Sequence, residues 1–384
     1  MTIAKDFQVL VVGAGPAGCA AAFDLARAGV KVGILESRNF PRVKPCGGAL
    51  TIKALQALRF SIEPVVKNVV TDFIAGREFT REERFRWKHP IGAMTIRAEL
   101  DEFVLQKTLD AGATFIKIER LIQLEQSDNS VEVQTDIGNI KSDFLIGADG
   151  ANSKVRQLIE YPQELTRGFA IEAQVACSSA QDPTMTFDFG VVPRGYGWVF
   201  PKGDHYNVGV YTFDARFRLF PEQLRSYIRE KLGSVNPSHI VGHSIGFGAW
   251  NQAKSGARIF LVGDAGGFCE PILGEGIFYA IKSGQAAAES VLDQIRNVMN
   301  ADVSFQRRSS YLRGDLRVAR KLAKGFYRDL GIGYRLLTSP LFKYALMKGY
   351  SSGIPLGHIP ANLPRLPFHK VPQVPWLNLG NSSN

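Results

Sequence analysis

Hydrophobic and polar positions near the start of the chain follow a strand, helix, strand pattern. The segment from Gln8, QVLVVGAGPAGCAAAFDLARAGVKVGILES, opens with a β-branched apolar run, continues with an alanine-rich stretch, and closes with a second apolar run ending at Glu36. Short apolar runs of β-branched residues predict buried strands, and the alanine-rich stretch between them predicts a helix. This part of the chain therefore predicts a βαβ unit.

Three glycines lie at the turn between the first strand and the helix, in the spacing GxGxxG. Gly13 permits a tight turn, Gly15 lets the backbone approach a pyrophosphate, and Gly18 allows the helix to pack closely on the strand. The helix N-terminus adds free N–H groups and a partial positive charge. Glu36 lies where a carboxylate accepts hydrogen bonds from an adenosine ribose. The predicted dinucleotide contacts are Gly13, Ala14, Gly15, Pro16, Ala17, Gly18, Glu36, Ser37 and Arg38.

Two later segments, residues 141–153 and 258–267, each run an apolar strand into a turn of glycine and aspartate. Aspartates beside glycine often do no more than cap turns, but here both turns follow strands and come after a dinucleotide fingerprint. They resemble the two later FAD motifs of the flavoprotein group containing para-hydroxybenzoate hydroxylase, in which the second aspartate contacts the ribityl chain. The resemblance implies FAD as the cofactor, with contacts from Arg97, Leu121, Asp149, Gly263 and Asp264.

The segment EPILGEGI, residues 270–277, leads into an alanine-rich helix that is predicted to run to about Val298. Its glycines allow the backbone to approach a ligand, and N–H groups at the start of a helix stabilise negative charge. This arrangement favours a flavin that carries two electrons. The predicted flavin contacts in this segment are Gly274, Gly276 and Ile277.

The hydrophobic pattern changes between the FAD segments, where aromatic-rich alternating runs at 184–190, 197–201 and 205–213 predict strands. We therefore predict an α/β protein with a Rossmann-like FAD-binding domain, an inserted antiparallel-sheet domain that forms the floor of a substrate pocket, and a helical C-terminal region. The predicted ranges are 1–61, 89–166 and 251–300 for the FAD-binding domain, 62–88 and 167–250 for the inserted sheet, and 301–384 for the basic C-terminal region with its Pro-rich tail.

Composition excludes several classes of protein. The 384 residues are 45% hydrophobic and 21% charged, which indicates a folded chain rather than a disordered one. The apolar run near the start is broken by glycines and has no basic leader, so no signal peptide or transmembrane helix is predicted. Four cysteines without a CxxC pair favour a reducing compartment, so we expect a cytoplasmic protein without a metal site or a disulfide framework.

The net charge of +10 resides in the last part of the chain. Residues 301–384 contain 13 Lys or Arg and 3 Asp, so this segment carries the whole excess. Apolar and aromatic residues interleave with the cations between Arg335 and Lys348, a pattern that suits peripheral attachment to an anionic membrane surface. The alternative is a solvated helical face that closes the fold. Nothing else in the chain resembles a nucleic-acid module, so no nucleic-acid partner is expected.

Three motifs together resemble the geranylgeranyl reductase family of flavoproteins. They are KPCGGAL at 44–50, YGWVFPK at 196–202 and GDAGGFCEPILGEGI at 263–277. The resemblance implies an FAD-dependent enzyme that saturates carbon–carbon double bonds in the prenyl chain of a lipid, quinone or pigment. Gly209 matches the first glycine of a longer family signature, whereas Tyr211 stands at the second. This departure leaves the identity of the prenyl substrate open.

Cys46 is the predicted catalytic residue. An isolated prenyl double bond is unpolarised, so hydride addition at one carbon requires a proton at the other, in a pocket that excludes water. The resemblance places Cys46 beside the reacting bond as the proton donor, with Gly47 and Gly48 letting the loop lie against the isoalloxazine ring. The alternative is that Cys46 only packs.

Tyr196, Trp198 and Phe200 alternate with Gly197 and Val199, so their rings share one face of a strand. They are predicted to wall a lipid tunnel, although strand aromatics more often form a core. Lys202 is predicted to bind an anionic headgroup, with a solvated strand end as the alternative. Because no second glycine fingerprint marks a nicotinamide site, the electron donor is expected to be NADPH bound transiently or a ferredoxin-like electron-transfer protein.

Two other functions stay open at this point. A flavin monooxygenase or halogenase shares the fold and the FAD motifs, but those families do not normally carry KPCGGAL. A non-catalytic prenyl-binding carrier on a related fold would not need the complete FAD set, which is present here as Gly13, Gly15, Gly18, Glu36, Asp149 and Asp264. The sequence leaves the oligomeric state and the number of reduced bonds undetermined.

Overall fold

The computed structural model describes residues 7–161, 164–177, 184–214, 216–233, 236–248, 256–359 and 374. Its strands are β1 (Phe7–Val12), β2 (Val32–Glu36), β3 (Ala49–Thr51), β4 (Val66–Val70), β5 (Asp72–Arg77), β6 (Arg81–Arg86), β7 (Gly92–Thr95), β8 (Thr114–Lys117), β9 (Leu121–Gln126), β10 (Val131–Thr135), β11 (Gly138–Gly147), β12 (Thr166–Ala176), β13 (Met185–Phe189), β14 (Gly195–Pro201), β15 (His205–Thr212), β16 (Ser238–Phe247) and β17 (Ile259–Leu261). Its α-helices are α1 (Pro16–Arg27), α2 (Ile52–Ala57), α3 (Arg97–Asp110), α4 (Lys154–Leu158), α5 (Pro221–Leu232), α6 (Ile277–Ile295), α7 (Ala301–Arg308), α8 (Ser310–Arg328), α9 (Leu330–Leu337) and α10 (Pro340–Ser351).

The first sheet contains the predicted βαβ unit. Its strand order is β8-β2-β1-β11-β10-β9, with β17 paired to β11. β1 runs parallel to both β2 and β11, so the turns that follow β1 and β11 meet at one edge of the sheet. Helices α1 and α6 touch closely, because a Cβ on Gly284 would lie 2.2 Å from the Ala17 carbonyl oxygen. The predicted Rossmann-like FAD-binding fold is confirmed.

The second sheet is the predicted aromatic-rich layer, with strand order β16-β12-β15-β14-β13-β5-β6. Its pairings are antiparallel except for β13, which runs parallel to β5. Strands β14 and β15 are almost wholly buried, because helix α5 packs on the sheet together with the cluster around Tyr206 and Val208, and the aromatic face lies on the opposite side. This sheet is inserted into the FAD-binding part of the chain, as the fold prediction required.

A three-stranded sheet, in the order β3-β7-β4, holds the segment that follows Cys46. The C-terminal region is helical from α7 to α10, and the apolar face of α8 is buried through Leu312, Leu316, Ala319 and Ala323. The helix predicted to end near Val298 ends at Ile295. Most of the Pro-rich tail lies outside the described residues. None of the helices within the described ranges is long and apolar enough to span a bilayer.

Candidate functional site

A cavity of about 890 Å³ lies between the two large sheets. Two segments far apart in the chain, the Cys46 loop (residues 44–50) and the loop from Glu270 to Gly276, both border it. Most of the residues predicted from the sequence line this cavity: Gly13, Gly15, Pro16, Ala17, Glu36, Ser37, Arg38, Cys46, Gly47, Gly48, Arg97, Leu121, Asp149, Tyr196, Trp198, Phe200, Gly263, Asp264, Gly274, Gly276 and Ile277. The predicted residues Ala14, Gly18 and Lys202 do not line it.

The glycine turn after β1 is shaped as its sequence predicts. Gly13 has a positive φ of 103°, and a Cβ there would lie 2.6 Å from the Ala148 carbonyl oxygen. A Cβ on Gly18 would lie 1.9 Å from the Gly13 carbonyl oxygen, so only glycine allows α1 to pack this closely. A Cβ on Gly15 would meet only Arg42 Nη2, at 3.3 Å, so a larger side chain there would extend into the cavity.

Glu36 joins the end of β2 to this turn. One carboxylate oxygen accepts a hydrogen bond from the backbone N–H of Ala14 at 2.9 Å, and the other accepts one from Arg38 N–H at 2.8 Å. Each carboxylate oxygen has two acceptor positions, so Glu36 can also accept a hydrogen bond from a ribose hydroxyl. Ala14 therefore acts by positioning Glu36 rather than by lining the cavity.

Asp149 borders the cavity and has one oxygen that accepts hydrogen bonds from the backbone and one buried oxygen that does not. Its Oδ2 accepts hydrogen bonds from the N–H groups of Lys154 and Val155, at 2.6 and 3.0 Å. Among the described residues no donor reaches the buried Oδ1. Burial raises the pKa of Asp149. A buried acceptor without a donor is costly, and a hydroxyl group of FAD would satisfy it. With the open space at Gly15, this residue set fits FAD.

The Cys46 loop is held by contacts from distant segments. Cys46 N–H donates to Glu172 Oε1 at 3.0 Å, and Gly48 N–H donates to Cys46 Sγ at 3.4 Å. A Cβ on Gly47 would lie 2.7 Å from the Phe200 ring, so the loop passes directly over the aromatic face of β14. Burial, opposed by hydrogen bonds from Cys46 N–H and Asn207, raises the pKa of Glu172.

Lys202 takes a position that the sequence did not indicate. Its side chain is 3% exposed, and Nζ donates to the Gly47 carbonyl oxygen at 2.5 Å. Burial lowers its pKa to about 8. The alternative of a solvated strand end is wrong, because β14 ends beneath the Cys46 loop rather than at the surface. Lys202 therefore secures the loop that carries Cys46, and its predicted contact with a headgroup has no support from this position.

Arg97 begins α3 beside the same loop. Its guanidinium donates two hydrogen bonds to Asp101, both at 2.9 Å, in the bidentate geometry that arginine favours. Burial opposes its charge, but the carboxylate of Asp101 keeps the pKa of Arg97 above its ordinary value. Arg97 thus brings a fixed positive charge to the cavity near Cys46.

Asp264 lies at the turn after β17. The turn is fixed by Gly263, whose N–H donates to Ser283 Oγ at 2.9 Å and whose φ is 56°. Burial raises the pKa of Asp264, while Lys44 and Arg97 oppose that effect. Asp264 and Asp149 therefore border the cavity from the turns after two neighbouring strands, as the two Gly/Asp motifs predicted.

Three tyrosine hydroxyls hold the loop that follows Asp264. Tyr211 donates to the Pro271 carbonyl oxygen at 2.8 Å, Tyr327 donates to the Ile272 carbonyl oxygen at 2.7 Å, and Tyr196 donates to the Leu273 carbonyl oxygen at 2.5 Å. These tyrosines come from β15, α8 and β14, so both the aromatic sheet and the C-terminal region fix the loop. We call this arrangement the tyrosine clamp.

Glu270 completes the clamp from the loop itself. Its carboxylate accepts hydrogen bonds from Ile272 N–H at 2.5 Å and Leu273 N–H at 3.0 Å. The residue is 1% exposed, and burial raises its pKa to about 7. Sequence reasoning missed this set, because a tyrosine in a strand does not indicate which distant carbonyl its hydroxyl reaches.

Tyr196, Trp198 and Phe200 form an aromatic wall that borders the cavity and also belongs to a buried apolar cluster. The rings of Tyr196 and Trp198 are 6.0 Å apart, and those of Trp198 and Phe200 are 6.1 Å apart. Trp198 Nε1 donates to Asn207 Oδ1 at 2.7 Å, so the polar edge of the indole is satisfied away from the cavity. A Cβ on Gly209 would lie 2.1 Å from the Trp198 ring, which explains the glycine there. The wall presents an apolar surface suited to a hydrocarbon chain.

Residues 6–297 match the family model of the FAD binding domain. An uncharacterized protein of Methanosarcina barkeri is 34% identical over 91% of each chain. A geranylgeranyl diphosphate reductase of Rhodobacter capsulatus is 30% identical, over 78% of this chain and 79% of that protein. A menaquinone reductase of Mycobacterium tuberculosis is 29% identical, over 75% of this chain and 77% of that protein.

Solved structures share the fold at lower identity. A geranylgeranyl bacteriochlorophyll reductase-like protein of Thermoplasma acidophilum has a TM-score of 0.73 and 20% identity, and covers 84% of this chain and 87% of its own. A halogenase mutant in complex with FAD has a TM-score of 0.74 and 18% identity, and covers 94% of this chain and 83% of its own. At these identities the likeness describes the fold and does not choose between reductase and halogenase chemistry.

Proposed function

Because this chain belongs to the FAD-binding family that includes geranylgeranyl diphosphate reductases and menaquinone reductases, we propose that it saturates carbon–carbon double bonds in the prenyl chain of a lipid, quinone or pigment. The observation that carries this proposal is the Cys46 loop, which places a thiol at the cavity beside an aromatic wall. The donor of electrons is proposed to be NADPH or a ferredoxin-like protein.

Different residues of the chain bind the cofactor, exclude water and supply the proton in the proposed reaction. Reduced FAD, when bound, supplies the hydride equivalent. The turns containing Gly15, Asp149 and Asp264 hold the cofactor, and Tyr196, Trp198 and Phe200 exclude water from the prenyl chain. Cys46 holds a proton at Sγ and transfers it to the second carbon of the double bond, so that one hydride and one proton convert the alkene to an alkane.

The surroundings of Cys46 support this assignment. The Gly48 N–H that donates to Sγ fixes the direction of the sulfur, and the Glu172 carboxylate fixes the backbone at Cys46. Lys202 anchors the next carbonyl, that of Gly47. A proton donor has to be held within reach of its acceptor, and these three contacts leave the loop little freedom.

A test uses two substitutions of the thiol. Cys46→Ala and Cys46→Ser should both retain FAD, because the dinucleotide site is untouched. Both should slow anaerobic single-turnover oxidation of the dithionite-reduced protein by a geranylgeranyl compound by about 10²- to 10⁴-fold, with product mass as the readout. Cys177→Ser, which changes a thiol that does not line the cavity, is the matched control.

Three outcomes would contradict the proposal. Wild-type turnover in Cys46→Ser would leave Cys46 as a packing residue. Wild-type protein that is reoxidised only in air, with an oxygenated or halogenated product, would favour monooxygenase or halogenase chemistry. Purified protein that lacks flavin absorbance would instead favour a prenyl carrier.

We also propose that an anionic lipid surface delivers the substrate. Helices α9 and α10 expose Ile332, Leu336 and Leu341, which are 50%, 60% and 68% exposed. Arg335 lies among them, and Lys348 follows on α10. Exposed apolar side chains flanked by cations are typical of helices that lie on anionic membranes. Tyr350, at the end of α10, lines the cavity, so the helix that carries Leu341 also reaches the proposed prenyl site.

A further inference from the structure

Lys44 and His243 form a pair of basic side chains at the cavity. The Lys44 ammonium is hydrogen-bonded to His243 Nε2, and both residues line the cavity and are half-buried. Lys44 belongs to the Cys46 loop, whereas His243 lies on β16, the edge strand of the aromatic sheet. Within the described part of the chain, no carboxylate forms an ion pair with Lys44.

The charged groups around the pair compensate its positive charge only in part. Arg42 and Arg97 are both engaged with Asp101, at 3.2 and 2.9 Å. Burial lowers the pKa of Lys44, and Asp264 only partly opposes this effect. Burial, followed by the charges of Lys44 and Arg97, lowers the pKa of His243 to about 4. A half-buried cation that no described carboxylate contacts directly is unfavourable, and binding of an anion reduces that cost.

We propose that Lys44 and His243 form a phosphate-binding subsite that receives the diphosphate head of a prenyl substrate, an inference that rests on the proposed function. Lysine binds phosphate as a compact charge with several donors, and a histidine ring adds a further donor once an anion is present. Lys202, the cation that the sequence motif suggested for this role, is buried and bound to Gly47. Lys44 is therefore the cation in the KPCGGAL and YGWVFPK motifs that faces the cavity.

The same phosphate chemistry has two other sources. One is the pyrophosphate of FAD, and the other is a phosphate of a nicotinamide nucleotide. The headgroup is favoured because Lys44 is paired with His243 on the aromatic sheet, whereas the opening left for the FAD pyrophosphate lies at Gly15, beside Arg42. A prenyl diphosphate held at Lys44 would place its hydrocarbon chain along the aromatic wall.

The test compares charged and neutral ligands on the FAD-loaded protein. At fixed ionic strength, calorimetry should detect binding of inorganic pyrophosphate to the wild type, and Lys44→Gln should weaken it by about tenfold or more. His243→Gln, which keeps a donor but removes the ring, should have a smaller effect. Lys141→Gln, which changes an exposed lysine on β11, should bind like the wild type.

Flavin absorbance then reports binding of two prenyl ligands. The wild type should bind geranylgeranyl diphosphate more tightly than geranylgeraniol, and Lys44→Gln should lose that preference while binding geranylgeraniol unchanged. Equal pyrophosphate binding by wild type and Lys44→Gln would overturn the proposal. Loss of FAD from Lys44→Gln would assign the subsite to the cofactor, and a raised KM for NADPH with unchanged prenyl binding would assign it to the nucleotide. Both outcomes overturn a headgroup site.

Failure of the proposed function has a separate signature. In that case neither prenyl ligand reoxidises the reduced protein without oxygen, whatever the affinity for pyrophosphate. A different outcome is that the wild type binds geranylgeranyl diphosphate no more tightly than geranylgeraniol, while geranylgeraniol still reoxidises the reduced protein. That outcome would refute the headgroup subsite but not the proposed reductase activity.

Discussion

Removal of one hydroxyl from the tyrosine clamp tests how the loop from Glu270 to Gly276 is held. Tyr211 is 1% exposed, and its hydroxyl is 2.8 Å from the carbonyl oxygen of Pro271, which is also buried. Tyr211→Phe keeps the ring and opens no cavity, but leaves a buried carbonyl without its donor. Such an orphaned group costs about 1–3 kcal/mol, so the free energy of unfolding should fall by that amount.

The assay is denaturant unfolding of the FAD-loaded protein, followed by flavin fluorescence and by far-ultraviolet circular dichroism. Tyr311→Phe is the matched control, because Tyr311 is 47% exposed, and it should change stability by less than about 0.5 kcal/mol. Tyr327→Phe should cost less than Tyr211→Phe, since Ile272 is only half-buried and water can replace the lost donor. Equal stability of Tyr211→Phe and Tyr311→Phe would refute the clamp.

Three further predictions address the cofactor, the buried carboxylate and the lipid surface. Gly15→Val should fill the space left for the pyrophosphate, so the protein should emerge without flavin absorbance; normal FAD content would contradict the assignment. Burial raises the pKa of Glu270 from an ordinary 4.5 to about 7. Between these pH values the folded protein keeps a proton on Glu270 that the unfolded chain releases. The stabilisation that this proton gives the folded state is therefore lost as the pH rises from about 4.5 to about 7. The wild type should therefore lose stability relative to Glu270→Gln between pH 5 and pH 7.5 in unfolding measurements, and a constant difference would exclude the shift. Co-sedimentation with anionic liposomes should fall steeply from low to high salt and should weaken in Leu336→Ser with Leu341→Ser, whereas salt-independent binding would favour purely hydrophobic docking.

The local sequence pattern was sufficient to predict the fold, because each sequence feature used for the prediction depends only on residues close together in the chain. The glycines at 13, 15 and 18 report a turn whose geometry excludes a Cβ at two positions and leaves open space at the third. Alternation along Tyr196, Trp198 and Phe200 reports a strand with one aromatic face. Both signals can be interpreted without knowing which distant segment packs against them.

Long-range contacts were not predictable in the same way. Lys44 and His243 are 199 residues apart, and the three clamp hydroxyls reach carbonyls 55 to 77 residues away. Neither a lysine in a glycine-rich loop nor a tyrosine in a strand indicates its partner. Lys202 is an example. The YGWVFPK motif draws attention to this lysine, but its burial beneath the Cys46 loop depends on the long-range contact between β14 and that loop.

Tyr211, where the family signature has a glycine, connects the aromatic wall to the loop from Glu270 to Gly276. A glycine at this position could not reach the Pro271 carbonyl oxygen, so the loop would lose one of its three tyrosine contacts. Tyr211 also stands 5.3 Å from the Tyr196 ring and lines the cavity, where it takes space that a glycine would leave to a ligand. The same residue thus narrows the cavity and stiffens the loop from Glu270 to Gly276. We therefore expect a smaller residue at position 211 to widen the cavity and loosen this loop together.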